Sequence, residues 1–249
     1  MSGATVVDAH CHMSGLDLPS AEKFILELRR RGVSRAVIST AGGFHDWDYS
    51  RENDLLSAAS RRAPEVFIPF CTVNPHRGRA AVSELRRSVE KLGMRGLKLH
   101  PPRQSFSVFH PYIDEIIDEA SGLGVPVLFH DGTPPLSTPL QICDLAENHR
   151  DALIILGHSG LNDLWRDAIA GAERLDNVIL CTCATPFIAI RRMVERLGAD
   201  RVVYGSDASD GNPSVVDFNL NKVRALEIGE EDKARILGLN ILRILNLLD

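Results

Sequence analysis

Short β-branched segments alternate with amphipathic segments along the whole chain, and this alternation limits the possible folds more than any other feature. The amphipathic segments predict helices, as in 21–31, where Phe24, Ile25 and Leu28 share one face. A final helix is predicted over about 230–248. Eight segments have the length and composition of buried strands, near residues 5–10, 35–40, 66–73, 94–99, 126–130, 152–157, 177–183 and 202–206.

Eight strand–helix repeats in 249 residues predict an α/β fold of the (β/α)8 TIM-barrel type, with residues 1–249 forming a single domain. A doubly wound open sheet is the competing architecture. Its dinucleotide-binding form carries Gly-x-Gly-x-x-Gly after a strand, and none of the eight predicted strands is followed by that pattern. The barrel is therefore the favoured prediction.

Composition excludes several classes of partner. The net charge of −5 comes from 28 basic and 33 acidic residues scattered along the chain, without the basic block that nucleic-acid binding needs. Apolar runs are too short for a transmembrane helix, and no signal peptide is visible. The five cysteines are an odd number and suit reduced thiols in the cytoplasm. We expect a cytoplasmic protein that binds a small-molecule substrate, without nucleic acid or membrane partners, and a homodimer is the default assembly.

Two histidines end the first predicted strand, where residues 6–12 read Val-Val-Asp-Ala-His-Cys-His. Alternate side chains of a strand point the same way, so His10 and His12 should project together from Cα atoms roughly 6.6 Å apart. Two imidazoles at that separation can converge on one divalent metal. Asp8 is expected on the same face, either orienting a ligand imidazole or as a buried acid tied to a neighbouring strand.

Four more strands end in residues of similar chemistry. Barrel enzymes build their active sites at the carboxyl-terminal ends of the strands, which predicts that these residues converge. A zinc ion held by imidazoles and a carboxylate keeps one position open for water, and it lowers the pKa of that water to near neutrality. The residues concerned are Lys98 and His100 at the end of strand four, His130 at the end of strand five, His158 at the end of strand six and Asp207 at the end of strand eight.

Several stretches resemble the amidohydrolase superfamily of metal-dependent hydrolases, and in particular its amidohydrolase-related branch, which includes the aminocarboxymuconate-semialdehyde decarboxylase type. The resemblance implies a distorted barrel that holds a metal through His10, His12, His130 and Asp207. The stretches are VVDAHCH, NDLL with VFIPFCTVNP (53–75), GLKLHPP, GVPVLFHDG, LGHSG, VVYGSDAS and ILGLNILRIL (236–245).

The number of metals depends on Lys98. Two-metal members of the superfamily use a carboxylated lysine on strand four as a bridge, and Lys98 with His158 would complete such a set. In the one-metal branch, Lys98 would instead bind an anionic group of the substrate or pair with an acid. One Zn²⁺ per chain is favoured because most matching motifs belong to that branch, while two metals, or manganese, iron or cobalt, remain alternatives.

Two further sets of residues have more than one possible role. Arg103, His45, Trp47 and Thr133 lie on predicted loops at the mouth and are candidate substrate contacts. Cys181 and Cys183 have the spacing of a metal-binding pair, but we interpret them as core filling because a free cysteine packs as a small hydrophobe.

These residues predict an enzyme, and the leading hypothesis is hydrolysis of an amide, lactone or ester-like bond by metal-activated water. Asp207 would serve as general base, and His158 would polarise the substrate or hydrogen-bond to the water. The alternative is non-oxidative decarboxylation of an unsaturated or aromatic carboxylic acid, with Lys98 or Arg103 holding a carboxylate. A non-catalytic barrel is disfavoured because every expected site residue is present.

Overall fold

A curled parallel sheet forms the centre of the computed structural model, which describes residues 5–40 and 46–248. All strand pairs are parallel, and the order across the sheet is β8-β7-β6-β5-β4-β3-β2-β1-β9. The strands are β1 Val7–Met13, β2 Arg35–Thr40, β3 Phe67–Cys71, β4 Gly96–Leu99, β5 Val127–Phe129, β6 Ile154–Leu156, β7 Val178–Cys181, β8 Val202–Val203 and β9 Ala208–Ser209.

Helices follow the strands as the alternation predicts, so the α/β prediction is confirmed. In the part of the chain that the structure describes, no helix is both long and apolar enough to cross a membrane. The helices are α1 Leu18–Arg30, α2 Ser50–Ser60, α3 Arg79–Leu92, α4 Pro101–Gln104, α5 Ile113–Gly122, α6 Pro139–Asn148, α7 Trp165–Ala172, α8 Phe187–Leu197, α9 Val215–Arg224, α10 Glu230–Ala234 and α11 Asn240–Ile244.

Two regions differ from the sequence prediction. The predicted final helix is divided, because a π-helical segment, Arg235–Leu239, separates α10 from α11. A Cβ at Gly238 would collide with the Thr5 carbonyl oxygen, so this glycine lets the segment pack against the start of β1. The predicted strand 202–206 stops at Val203, because the Tyr204 N–H donates to Ile236 O of the π-helical segment (2.8 Å).

The apolar core has two layers, one between the sheet and the helices and one inside the curl of the sheet. The inner cluster contains Val7, Ala9, Val37, Ile68, Leu128, Ile155, Ile179 and Val203, together with Ile241, Leu242 and Leu245 from the end of the chain. The last three residues belong to α11 and the turn after it. Apolar side chains thus fill the interior, and polar side chains collect beyond the carboxyl-terminal ends of the strands.

A β-bulge in β1 decides which of its side chains face the interior. Asp8 pairs with Ala36 and Cys11 with Ile38, so three steps along β1 match two along β2. The extra residue places both His10 and His12 toward the interior, whereas Cys11 belongs to the outer apolar cluster. The expectation that Asp8 shares the histidines' face is wrong.

Asp8 is instead a buried acid that ties β1 to the segment after β8. Its Oδ1 accepts hydrogen bonds from the Ser206 N–H (3.0 Å) and the His10 N–H (3.1 Å). Nearby, the Ala9 N–H donates to Tyr204 O, and the Asp207 N–H donates to His10 O, both at 2.9 Å. These backbone bonds hold Asp207 beside β1.

Candidate metal centre

His10, His12 and Asp207 form a compact cluster at the carboxyl-terminal end of the sheet. One ligand atom from each residue lies within 4.8 Å of the others. The Asp207 Oδ1 is 3.1 Å from His12 Nε2 and 3.5 Å from His10 Nε2. Two imidazole nitrogens and a carboxylate oxygen form a donor set that suits zinc, manganese or a similar divalent cation.

The far nitrogen of each imidazole is held by a second group. His12 Nδ1 lies 2.9 Å from Ser39 Oγ on β2, and His10 Nδ1 lies 3.2 Å from the Gly157 carbonyl oxygen. Such contacts orient each ring and leave its Nε2 directed into the cluster. Gly157 is required at this approach, because a Cβ there would lie 2.5 Å from Phe129 O and 3.1 Å from His10 Cε1.

Asp207 links the buried imidazoles to solvent. It has a left-handed backbone, with φ of 60°, and its side chain is 41% exposed although that of His10 is fully buried. Burial raises the pKa of Asp207, but the hydrogen bond with His12 and the neighbouring imidazoles lower it by more. The carboxyl group is therefore ionised near neutral pH.

Both clustered histidines are neutral near neutral pH. Burial lowers the pKa of His10, and the positive charge of Lys98 lowers it further. Burial likewise lowers the pKa of His12, although the hydrogen bond with Asp207 opposes this shift. Neutral imidazole is the form that binds a metal ion.

Lys98 lies in the wall of the site with its amine directed at the cluster. The side chain is fully buried, and Nζ donates a hydrogen bond to His10 Nε2 at 2.8 Å. Burial lowers the Lys98 pKa to about 8, opposed by the charge of Asp207. The amine thus remains largely cationic at neutral pH.

His130 and His158 extend the cluster into a row of packed rings. The His158 ring centroid lies 5.0 Å from that of His10 and 4.5 Å from that of His130, and His130 stacks on His100 at 3.9 Å. Burial lowers the pKa of His158 to about 3.

His130 is also a predicted metal ligand, and in this structure its Nε2 lies 3.0 Å from Thr133 Oγ1. Among the described residues, two groups bring three ligand atoms within 4.8 Å, namely His10-His12-Asp207 and His10-Cys181-Cys183. His130 belongs to neither and adjoins the first through His158.

Asp131 is a site residue that the sequence reasoning missed. Its buried carboxylate accepts hydrogen bonds from the His158 N–H and the Gly160 N–H, both at 2.6 Å. Asp131 therefore fixes the loop that carries His158. Asp131 directly follows His130 in the sequence, and this position could have indicated that it lies near the site.

Cys183 also has a larger part in the site than core filling implies. Both Cys181 and Cys183 do pack in the inner apolar cluster. The Cys183 thiol in addition donates to Gly157 O at 2.7 Å and lies 3.2 Å from His10 Nδ1 and 3.0 Å from His158 Nδ1. The spacing of the two cysteines was the signal for this arrangement.

Arg103 lies at the mouth of the site, on α4, a short helix absent from the sequence prediction. Two prolines at its first positions favour this turn, and His100 Nδ1 accepts from the Arg103 N–H at 3.4 Å. The charge of Arg103 contributes to the lowered pKa of His12, after larger effects led by burial.

His45, another predicted contact, lies outside the described residues. A cavity of about 210 Å³ beside Arg103 is lined by Asp46, Trp47, Asn74, His76, Gln104 and Ser105.

Comparison with solved structures shows the same fold in several decarboxylases. The chain matches 5-carboxyvanillate decarboxylase from Sphingomonas paucimobilis with a TM-score of 0.78 at 15% identity, covering 99% of this chain and 100% of that one. It matches 2,6-dihydroxybenzoate decarboxylase from Rhizobium with a TM-score of 0.76 at 17% identity, covering 98% and 99%. A dihydroxybenzoic acid decarboxylase from a Polaromonas species, with bound manganese and the inhibitor 2-nitroresorcinol, gives a TM-score of 0.75 at 16% identity, covering 98% of both chains.

At these identities the structural likeness establishes a shared fold. The family is established by sequence, because the sequence model of the amidohydrolase family matches residues 7–247. The match includes both histidines of β1 and the aspartate after β8. This chain belongs to the amidohydrolase family.

Proposed function

We propose that this protein is a metal-dependent, non-oxidative decarboxylase of a small unsaturated or aromatic carboxylic acid. The observation that carries the proposal is the convergence of His10, His12 and Asp207 within 4.8 Å at the open end of the sheet. Solved decarboxylases with TM-scores of 0.75 to 0.78 favour this reaction over the hydrolysis that the sequence first suggested.

The donor set fits one divalent cation. His10 and His12 would bind it through Nε2 and Asp207 through a carboxylate oxygen, with His130 as a further candidate ligand. Manganese, which is bound in the Polaromonas decarboxylase, also accepts imidazole and carboxylate ligands, although such sites generally bind it less tightly than zinc. The cation would orient the substrate oxygens and withdraw electron density from the reacting carbon.

The position of Asp207 depends on how the two edges of the curled sheet meet. We infer that the sheet is a closed barrel, in which the segment after β8 completes the wall next to β1. The hydrogen bonds from Ala9 to Tyr204 O and from Asp207 to His10 O, both at 2.9 Å, support this closure.

Asp207 is suited to carry the proton of the reaction. Because it is ionised and its side chain is 41% exposed, one oxygen can accept a proton from a substrate hydroxyl while Oδ1 faces His12. When the bond between carbon and carboxylate breaks, CO2 leaves and the electron pair stays on the carbon. Asp207 then returns the proton to that carbon.

Arg103 and Lys98 would supply positive charge to an acidic substrate. Arg103 adjoins the mouth cavity, where its guanidinium can pair with a carboxylate by two parallel hydrogen bonds. Lys98 is fully buried in the wall beside His10, so its charge stabilises negative charge that develops at the reacting centre.

Hydrolysis is the second candidate function, because the family match and the same cluster also support it. Asp207 would then take a proton from water and pass it to the leaving group. The two reactions differ in their products, since decarboxylation releases CO2 and hydrolysis forms a new carboxylate with its alcohol or amine.

The test is a substrate panel assayed with purified protein that has been stripped by a chelator and reloaded with Mn²⁺ or Zn²⁺. The panel contains hydroxybenzoates, unsaturated dicarboxylates, lactones and amides, and both CO2 and new carboxylate are measured. We expect metal-dependent CO2 release from at least one acid. Product formation that is unchanged in the stripped protein would contradict a metal-dependent reaction.

A variant pair gives the control for this assay. His12→Asn removes a clustered imidazole and should abolish turnover together with metal binding. His149→Asn alters a histidine paired with Asp114 and Asp118 of the outer helix α5 and should leave turnover intact. Metal-dependent hydrolysis without CO2 release would make the second candidate the correct one.

A further inference from the structure

Cys181, at the end of β7, and Cys183, just after it, have no part in the proposed reaction. They lie directly beside His10. Cys181 and Cys183 are both fully buried in the inner apolar cluster. Their Sγ atoms and a nitrogen of His10 lie within 4.8 Å of one another. The Cys183 Sγ is 3.2 Å from His10 Nδ1, on the side of the ring opposite to the Lys98 contact at Nε2.

We infer that His10 Nδ1, Cys181 and Cys183 form a second metal site, selective for thiophilic cations such as Cd²⁺ or Zn²⁺, that opposes metal binding at His10 Nε2. The inference does not depend on which reaction the protein catalyses. It concerns Nδ1 of His10, which the proposed reaction does not use and which lies beside the Gly157 carbonyl oxygen.

The dimensions of the cluster fit such a cation. Bonds of about 2.3 Å to sulfur and about 2.0 Å to nitrogen, at a tetrahedral angle, place the two ligand atoms about 3.5 Å apart. The observed 3.2 Å between Cys183 Sγ and His10 Nδ1 needs only a small movement. Thiolate ligands select soft cations over Mn²⁺ and Mg²⁺, so the donor chemistry separates this site from the His10-His12-Asp207 cluster.

Binding at this site exchanges protons without any redox step. The cation replaces the protons of the two thiols, which pass to solvent. Burial raises the pKa of the Cys183 thiol, so the thiolate forms together with the metal rather than before it.

Antagonism between the two sites follows from the single proton on a neutral imidazole. Because the Lys98 ammonium can only donate, its contact at His10 Nε2 assigns the ring proton to Nδ1, beside Gly157 O. A cation at Nδ1 moves that proton to Nε2, where it occupies the lone pair that the first metal needs. Both sites can fill only if the ring loses this one remaining proton, which places two cations on one imidazolate.

The test uses chelator-stripped protein with Cd²⁺ as the probe. We expect about one Cd²⁺ per chain to give a thiolate-to-metal charge-transfer band in the ultraviolet, which nitrogen and oxygen ligands do not produce. Pre-loading with Cd²⁺ should weaken Mn²⁺ binding at least about tenfold, measured from the signal of free Mn²⁺ in electron paramagnetic resonance.

Three variants locate the site. Cys181→Ser and Cys183→Ser should each lose most of the band and the antagonism while still binding Mn²⁺. Cys143→Ser is the matched control, because Cys143 is equally buried but packs in the outer cluster, and it should keep both. A band that survives in both site variants would overturn the inference.

X-ray absorption at the cadmium edge of the unmodified protein gives a reading that needs no variant. Two sulfur neighbours are expected in the first coordination shell. A shell of nitrogen and oxygen alone would mean that Cd²⁺ enters only the His10-His12-Asp207 cluster, and the inference would be wrong. The decarboxylase proposal would survive that result, because its test uses Mn²⁺ and CO2 release.

Discussion

The amine of Lys98 donates a hydrogen bond to Nε2 of His10 at 2.8 Å, and so occupies the lone pair that a metal ion at the His10-His12-Asp207 cluster would use. Lys98 is fully buried, and the charge of Asp207 helps to keep it cationic. A metal ion and the Lys98 ammonium therefore compete for the same nitrogen and also repel each other.

Removal of this charge should strengthen metal binding. Lys98→Met keeps the length and apolar body of the side chain, and we expect Mn²⁺ affinity to rise at least about tenfold because a nearby positive charge is lost. Turnover should fall, because the site then lacks the positive charge of Lys98 that would stabilise negative charge on the substrate. Competition with a fluorescent chelator measures the affinity. Weaker binding, with stoichiometry falling from two metals to one, would instead indicate that Lys98 bridges two ions.

Loss of the Asp207 negative charge should stop proton transfer without unfolding the protein. Asp207→Asn is expected to lower kcat by at least about 100-fold, the usual scale of general acid–base catalysis. Asp217→Asn, on the outer helix α9, is the matched control. Thermal unfolding checks that both variants fold. Full activity of Asp207→Asn would exclude Asp207 as the proton carrier.

Ser39 should matter through His12 rather than through the substrate. Its hydroxyl lies 2.9 Å from His12 Nδ1, so Ser39→Ala leaves that ring less firmly oriented. We expect metal affinity to fall by about 10- to 100-fold, as for other residues that orient ligand imidazoles. Ser83→Ala, on the exposed face of α3, should have no effect. Activity at saturating metal should recover, and a variant that saturating metal does not rescue would contradict the role.

Arg103 should contribute to substrate affinity more than to the chemical step. Arg103→Gln is expected to raise KM about tenfold for an acidic substrate, the cost of one charged hydrogen-bond pair, with a smaller change in kcat. Arg166→Gln, over the Trp165 ring on α7, is the matched control. Steady-state kinetics on the identified substrate separates the two parameters. An unchanged KM would exclude Arg103 from binding the carboxylate.

His149 gives the fold a pH-dependent contribution outside the site. Burial lowers its pKa, but the hydrogen bonds with Asp114 and Asp118 outweigh this, so the net pKa is raised. A raised histidine pKa stabilises the fold fully below the unfolded value near 6.5, and that contribution is lost as pH rises through the folded pKa. His149→Asn should therefore cost up to about 1 kcal/mol at pH 5.5 and less at pH 8.5, measured by urea denaturation. An equal cost at both pH values would contradict the assignment.

The order of strands and helices was predictable from the sequence, because hydrophobic periodicity is a local property of the chain. The same local rule placed His10 and His12 on one face, and strand ends predicted that Asp207 would join them. Pairing between strands is not local. The bulge that turns Asp8 away from the histidines depends on the register between β1 and β2, which no pattern within β1 encodes.

The sequence by itself therefore determined the α/β alternation, the family and the residue types of the His10-His12-Asp207 cluster. Tertiary structure decided which atoms meet. It placed Lys98 Nζ at one nitrogen of His10 and Cys183 Sγ at the other, and it fastened His158 through Asp131. These contacts join residues that are 88, 173 and 27 positions apart, so they depend on how the curled sheet brings separate strand ends together. Spacing along the chain can predict neighbours on one strand, but contacts across the interior exist only after the sheet has curled.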